Sequence, residues 1–327
     1  MLQRAAEWMQ HSLHITEWAP DYDTDHLGAD AVAGLTVGVM LIPQAMAYAV
    51  IAGMPPIYGL YASLVPPLIY PFFGTSRQLA MGPTALDMLI LAAGLSAFAN
   101  VGSASYLTLA LIVTAMVGAM QIAMGAMQLG FVANLLSRPV ITGLTSAAAL
   151  IIGFSQLGNL LGIELGGSQY VHVILWQAAH QLSNVHMLSL GIGATGIVFL
   201  VLIPKWNRMI PEALIVVALA TAASYVFAFE SQGVEVVGTI PKGLPAPSLP
   251  DLGLGDLRTL LPAALTLALV QFMKNVSLGR VFATRHRYTI DANRELVGMG
   301  ASNLVGAFFS AIPASGSFSR SAVNDQA

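Results

Sequence analysis

The sequence predicts an all-α polytopic membrane protein with two short strands. Hydrophobic residues make up 56% of the 327 positions and charged residues 9%, which is less than half the usual share in soluble proteins. Apolar runs recur along nearly the whole chain, and spans of about 20 residues leave room for about nine or ten of them. Two runs start after a short extended segment instead of a polar loop. The pattern indicates helices that cross a bilayer, two of which begin part-way through it.

The apolar runs place the predicted spans. Residues 1–27 carry five acidic residues and no apolar core, which excludes a signal peptide and favours a cytoplasmic segment with a surface helix over 4–18. Spans 1 to 9 are predicted at 28–52, 57–73, 84–99, 105–129, 135–161, 185–203, 211–229, 258–283 and 290–309, and a tenth begins near 315. The stretch 171–182 is too short and too polar to span, so it predicts an interfacial helix.

The basic residues are distributed unevenly between the loops. Those that follow even-numbered spans are Arg138, Lys205, Arg208, Arg280, Arg285 and Arg287. The loops after odd-numbered spans contain Lys242, and Arg258 lies close to the start of span 8. Because positive charge is enriched in cytoplasmic loops, we expect a cytoplasmic N-terminus in the cell (inner) membrane.

A break in the helical pattern follows span 2. The apolar run ends in Gly74-Thr-Ser-Arg77, an extended piece follows, and Gly82-Pro83 opens a new helix in apolar surroundings. A helix that begins inside a bilayer exposes unpaired N–H groups and the positive end of its dipole. Such a break is tolerated where it lines a cavity, and the usual occupant is an anion. The break therefore favours an anion carrier.

A similar break occurs at Ser310–Gly316, seven spans later, and leads into Ser317-Phe318-Ser319-Arg320. An odd number of spans between two copies indicates opposite orientations in the membrane, as in an inverted repeat. We expect 78–82 and 311–315 to pair as a short antiparallel ribbon in mid-membrane, because their backbone groups would otherwise have no partner in hydrocarbon.

Four segments together resemble the signature of the sulfate permease (SulP) family. They are Ile42–Ala49 (IPQAMAYA), Pro56–Arg77 with its YGLY and GTSR, Asp291–Glu295 and Gly316–Ser321. The family includes bacterial and plant sulfate carriers, cyanobacterial bicarbonate carriers, and the animal anion exchangers with prestin. The resemblance implies a secondary transporter of small inorganic anions that works by alternating access. Sulfate is the expected anion, with bicarbonate and chloride as alternatives.

The resemblance also implies a fold of seven plus seven spans related by an inverted repeat, with spans 3 and 10 as facing half-helices. The first repeat would cover about 28–229 and an incomplete second repeat about 258–327. Resembling proteins continue through four more spans into a cytoplasmic STAS domain, so we interpret the chain as a fragment truncated within span 10 and lacking that domain. A homodimer, and a coupling proton or cation, are further expectations.

Polar residues in spans 1 and 3 are candidates for the site. Pro43 interrupts span 1, and Gln44 and Tyr48 follow it one turn apart. The resemblance implies that they line the cavity; the alternative is a proline kink whose polar neighbours are satisfied between helices. In span 3, Pro83 is expected at the first helical position. Asp87 is a carboxylate well inside an apolar run, which indicates function, although a structural hydrogen bond to another helix is the alternative.

Span 8 departs from the family pattern at Lys274-Asn275, where a glutamate associated with proton or sodium coupling usually stands. This difference puts such coupling in doubt and makes an uncoupled anion channel or uniporter an alternative function. Lys274 would attract the anion or neutralise Asp87; alternatively, its side chain reaches cytoplasmic water near Arg280. We expect Asp87 and Lys274 to pair across the site.

Span 10 supplies Ser319-Arg320, which matches the pair at the half-helix tip near the anion in resembling proteins. The hydroxyl would donate to an oxyanion and the arginine would bind it in a bidentate manner; the alternative is a serine cap beside a boundary arginine. The complete set of expected anion-binding residues is Gln44, Tyr48, Gly82, Pro83, Thr84, Ala85, Asp87, Lys274, Phe318, Ser319 and Arg320.

No enzyme, metal site or cofactor is expected. The spacing Gly191-x-Gly193-x-x-Gly196 matches a dinucleotide fingerprint in letters only, because no strand precedes it, and close helix packing explains it. Asp87 alone supplies neither paired acids nor a nucleophile with its base. The formal net charge of −3 gives no indication of a basic surface that would bind nucleic acid.

Overall fold

The computed structural model describes residues 13–134, 143, 146–147, 149–151, 153–154, 156–163, 165, 171–206, 212–236, 238, 243–247 and 254–326. Their helices and strands, in chain order, are α1 (Ile15–Trp18), α2 (Thr24–Ile51), α3 (Pro56–Ile69), β1 (Met81–Gly82), α4 (Ala85–Leu95), α5 (Ala104–Ala126), α6 (Leu157–Leu161), α7 (Val171–His180), α8 (Met187–Trp206), α9 (Glu212–Phe227), α10 (Leu254–Arg285), α11 (Ala292–Phe308), β2 (Ser315–Gly316) and α12 (Phe318–Gln326). The chain separates into two compact units, 1–141 with 241–327 and 142–240.

The predicted helical class is confirmed, with shorter elements around the breaks. Within the described residues, four helices are long and apolar enough to cross a membrane, and these are α2, α5, α8 and α10. The helix of span 3 is shorter than the predicted 84–99: α4 ends at Leu95, and turns follow it. Span 2 is also shorter: α3 contains Pro66 and Pro67, which lack N–H donors, and a tight 3₁₀ turn replaces it from Tyr70.

Several expectations fall partly or wholly outside the described residues. The predicted interfacial helix at 171–182 is present as α7, which covers Val171–His180. Of the helix expected over 4–18, the structure describes the last turn, which is α1. Thirteen of the 27 residues of span 5, together with Arg138, Arg208 and Lys242, lie outside these ranges. The cytoplasmic placement of the N-terminus therefore stays a prediction.

The two extended segments pair with each other. β1 and β2 are antiparallel, with Met81 opposite Gly316 and Gly82 opposite Ser315. Ser321 extends the pairing, because its hydroxyl accepts a hydrogen bond of 2.9 Å from the Ala80 amide. The expected ribbon is confirmed, although its second strand lies at the end of the predicted 311–315 and one residue beyond. This pairing places the start of α4 beside the start of α12.

Glycines allow α5 and α11 to approach closely in the first unit. A Cβ added at Gly118 would lie 2.4 Å from the Leu304 amide nitrogen, and one added at Gly300 would lie 2.7 Å from the Gly118 carbonyl oxygen. Small residues at both positions let the two backbones touch, as in many membrane helix pairs. This close contact holds α11 in place, and residues 309–314 then connect α11 to β2.

The second unit contains α6 to α9, and α8 contacts both α6 and α9. A Cβ added at Gly193 of α8 would lie 2.4 Å from the Leu160 side chain of α6. Because this glycine lies in a helix and serves close packing, the nucleotide-like spacing around it has a structural explanation.

Candidate anion-binding site

The first turn of α4 begins without a side-chain cap. Gly82 has φ +155° and Thr84 is the N-cap residue, with extended φ −134° and ψ 149°. The Thr84 hydroxyl makes no capping bond to the helix, so the first-turn amides lack a side-chain acceptor. Pro83 precedes the N-cap, so the expectation that it occupies the first helical position is wrong. The helix starts at Ala85, two residues after Pro83, because Thr84 is still extended.

Arg320 lies across this uncapped helix start. It belongs to the first turn of α12, its side chain is fully buried, and its Nη1 donates to the Pro83 carbonyl over 3.1 Å. Its Nε and Nη2 have no acceptor among the described residues. A Cβ added at Gly82 would lie 3.2 Å from Nη2, so the guanidinium fills the space beside this glycine. A buried cation with unused donors is costly, and an anionic acceptor would remove that cost.

Asp87 and Lys274 form an ion pair between α4 and α10. The Lys274 Nζ lies 2.9 Å from Asp87 Oδ1 and donates to the Thr84 hydroxyl over 2.8 Å. The Asp87 side chain has no exposed surface, and the Lys274 side chain retains 14%. The expected pairing is thus confirmed. The alternative in which Lys274 extends toward cytoplasmic water is wrong, because its ammonium group is held by two buried oxygens.

Neutral donors complete the surroundings of Asp87. Gln271 Nε2 donates to Asp87 Oδ2 over 3.2 Å, and the hydroxyl of Ser315 in β2 donates to the same oxygen. The carboxylate is therefore bonded from α10 and from the second extended segment. Its position in the first turn of α4 adds a favourable interaction with the helix dipole.

A buried amide network fixes β2 beside α4. Asn303 of α11 donates to both Gln121 and Gln271, and its own oxygen accepts from the Ala314 amide over 2.8 Å. Asn275 accepts from the Gly316 amide over 2.8 Å. Sequence reasoning missed the roles of Gln121, Asn303 and Ser315. Polar side chains inside apolar runs were the signal that could have found the first two, since such residues face a protein interior.

Glu295 is a second buried carboxylate, and its contacts were not predicted from the sequence. It accepts hydrogen bonds from the Tyr70 hydroxyl (2.6 Å), from the amide and hydroxyl of Thr75 (2.7 Å each), and from the Ser76 amide (3.0 Å). These bonds hold the 74–76 turn, which leads into β1, against the start of α11. Glu295 is accordingly a positioning residue for the ribbon rather than a direct ligand.

Of the remaining residues that the sequence predicted for the site, some lie near Arg320 and others do not. Gln44 has a buried Oε1 with no donor among the described residues. Tyr48 lies one turn later in α2, on the side near Arg320. Ala85 is the first residue of α4. Phe318 and Ser319 are exposed: the Phe318 ring lies 6.1 Å from that of Phe282, and Ser319 bonds to Ser317. The structure therefore does not bring these two into the Arg320–Asp87 cluster.

Comparisons with known proteins identify the family of the chain. A sequence model of the Sulfate permease family matches residues 27–327. Sulfate transporter 4.1, chloroplastic, of Arabidopsis thaliana is 36% identical over 330 residues, which cover 99% of this chain and 48% of that protein. A probable sulfate transporter of Mycobacterium tuberculosis is 37% identical over 314 residues, covering 94% of this chain and 56% of that protein.

A solved structure has the same fold. The murine Solute Carrier 26 family member A9 anion transporter in the inward-facing state aligns with TM-score 0.89 and 29% identity, over 98% of this chain and 56% of that one. The chain thus spans about half the length of the proteins it matches. These relatives are transporters and not enzymes. The chain is an integral membrane protein, and it belongs to the sulfate permease family.

Proposed function

We propose that the chain forms the anion-binding part of a secondary transporter, with sulfate as its substrate. The observation that carries the proposal is the buried Arg320 guanidinium, whose Nε and Nη2 lack acceptors beside the uncapped start of α4. A tetrahedral oxyanion would accept from both nitrogens and from the first-turn amides. Gln44 and Tyr48 of α2 would line the same site.

The choice of sulfate rests on the relatives and on charge. Two of the similar proteins are named as sulfate transporters, which favours this anion over bicarbonate and chloride. Two cations, Arg320 and Lys274, with one carboxylate between them, leave a net positive charge that suits a divalent ligand. Bicarbonate and chloride remain the competing substrates in the test below.

The wider architecture is part of the proposal. The antiparallel β1–β2 ribbon supports facing half-helices at spans 3 and 10, which is the arrangement expected of repeats at about 28–229 and 258–327. Alternating access would then move this site between the two sides of the membrane. We expect a homodimer in the cell membrane, with the N-terminus in the cytoplasm.

The first test is sulfate binding by the full-length protein in detergent, measured as thermal stabilisation by added sulfate. Arg320→Gln should weaken binding by about 10- to 150-fold, the equivalent of about 1.5–3 kcal/mol for hydrogen bonds to a charged group. The same variant should unfold at no lower temperature without sulfate, because it removes an unpaired buried charge. Arg258→Gln is the control, since Arg258 is exposed. Unchanged affinity in Arg320→Gln would contradict the site.

A channel or uniporter is the second candidate, favoured by Lys274 at the position of the usual coupling glutamate. Vesicle uptake of labelled sulfate separates the two functions. A coupled carrier accumulates sulfate above its external concentration when an ion gradient is imposed, and it saturates with substrate. A channel only equilibrates sulfate and carries current in proportion to the voltage.

A further inference from the structure

The formal charges around the start of α4 do not cancel. Arg320 and Lys274 contribute two positive charges and Asp87 one negative charge, so the cluster carries +1 when all three are ionised. The other hydrogen-bond partners of the pair are neutral: Gln271 of α10 and Ser315 of β2 bond to Asp87, and Thr84 at the helix start bonds to Lys274. From α2, the titratable side chain near Arg320 is Tyr48.

The other fully buried carboxylate among the described residues does not contribute to this charge. Glu295 is fully buried, and its two oxygens accept from Tyr70, Thr75 and Ser76 in the turn before β1. Its charge is compensated by hydrogen-bond donors at that turn. Asp87 is therefore the carboxylate whose protonation changes the charge of the anion site.

We propose that Asp87 is the proton-binding residue of this transporter, and that it takes up one proton when a divalent anion occupies the site. The inference rests on the proposed function, since it needs an anion beside Arg320. A divalent anion changes the cluster from +1 to −1, and a proton on Asp87 brings it to zero. A monovalent anion brings it to zero without a proton. Because an uncompensated charge away from water is costly, the neutral combinations are the ones that cross the membrane.

The proton step follows from the contacts of Asp87. A proton from water on the side to which the site is open binds Asp87 Oδ1, and the ion pair with Lys274 breaks. Lys274 keeps its bond to the Thr84 hydroxyl and gains a free N–H for the anion, while Gln271 continues to donate to Oδ2. On the other side the anion and the proton leave, and the pair forms again. Because the empty cluster carries +1, the site returns with a monovalent anion and no proton. No covalent change remains after the cycle.

This scheme assigns proton coupling to α4 although the usual acid of span 8 is absent. The carboxylate of this chain lies on α4, and α10 carries the lysine that pairs with it. The pair is compact, since Nζ and Oδ1 are 2.9 Å apart, so an anion that attracts Lys274 weakens the hold on Asp87 directly. Anion binding and proton binding are thus linked through one bond.

The test measures proton flux and anion uptake together. Full-length protein in chloride-loaded vesicles with a trapped pH dye receives labelled sulfate or labelled chloride under an inward proton gradient. Wild type should move about one proton per sulfate and none per chloride. In Asp87→Asn, sulfate uptake should lose its proton flux and its pH dependence, whereas Asp87→Glu should retain both. Asp25→Asn is the control, because Asp25 is exposed in the first turn of α2.

Lys274→Gln provides an independent measurement on the other partner of the ion pair, and a thermal unfolding transition establishes for each variant that it is folded. Removing the cation should move the proton-dependent phase of sulfate uptake to higher pH, because the Lys274 ammonium no longer favours the ionised carboxylate. Sulfate uptake by wild type without protons, or proton-coupled uptake by Asp87→Asn, would overturn this inference and leave the anion site intact. Absence of sulfate binding by wild type would overturn the proposed function as well, so the two failures are distinguishable.

Discussion

The Lys274 ammonium lies 2.9 Å from the Asp87 carboxylate, and this contact joins α10 to the first turn of α4. A double-mutant cycle measures how strongly the two side chains depend on each other. We expect Asp87→Asn and Lys274→Gln each to lower the free energy of unfolding by about 3–5 kcal/mol, because each leaves a buried charge unpaired. The double variant should lose less than the sum, with a coupling energy of about 0.5–3 kcal/mol. Strictly additive losses in thermal unfolding would argue against direct coupling.

Gly82 is expected to tolerate no large side chain. Gly82→Leu introduces a Cβ 3.2 Å from Arg320 Nη2 and 3.3 Å from Leu41 Cδ1, at a φ of +155° that side chains rarely adopt. Sulfate binding should be abolished, while membrane insertion is unchanged. The control is Gly34→Leu in α2, where an added Cβ meets nothing within 4 Å. Transport with unchanged affinity in Gly82→Leu would show that the helix start does not form the site.

Glu295 should stabilise the site from a distance. Glu295→Gln keeps the size of the side chain but replaces one acceptor oxygen with an amide group that faces N–H and O–H donors. A buried donor left without an acceptor costs about 1–3 kcal/mol, which should appear in the free energy of unfolding. Sulfate affinity should fall too, because the 74–76 turn leads into β1. Glu230→Gln, at an exposed position, should change neither quantity.

The link between α1 and α11 should depend on pH. Arg294 Nη1 lies 2.5 Å from Glu17 Oε1, and this hydrogen bond holds the pKa of Glu17 below its ordinary value. Ionised Glu17 therefore adds stability above its unfolded pKa, and the contribution is lost as the pH falls through the lower folded pKa. Since Glu17 retains 51% exposure, we expect only about 0.2–1 kcal/mol.

Comparison of wild type with Glu17→Gln across pH checks this prediction. The difference in unfolding free energy should be present at pH 7 and should vanish well below about pH 4. A difference that is constant with pH would mean that the charge of Glu17 does not contribute.

The sequence by itself determined the membrane class, the family and the two breaks that begin α4 and α12. These features depend on local patterns: the length of apolar runs, the Gly-Pro after an extended piece, and motif residues at fixed spacing. The pairing of β1 with β2 also followed, because extended backbone in hydrocarbon has few partners available. Asp87 and Lys274 could be matched for a similar reason, since each charge is costly alone in the bilayer.

Only the tertiary structure decided which side chains meet at the helix start. Arg320 bonds to Pro83 while its neighbours Phe318 and Ser319 stay exposed, and no local pattern distinguishes these three adjacent residues of α12. Glu295 and Asn303 are likewise recognised only through contacts with distant turns. The direction of a side chain depends on how each helix is rotated and how deeply it is set against the others. Those two quantities arise from long-range packing, as at the close contact between α5 and α11, and a single sequence does not encode them locally.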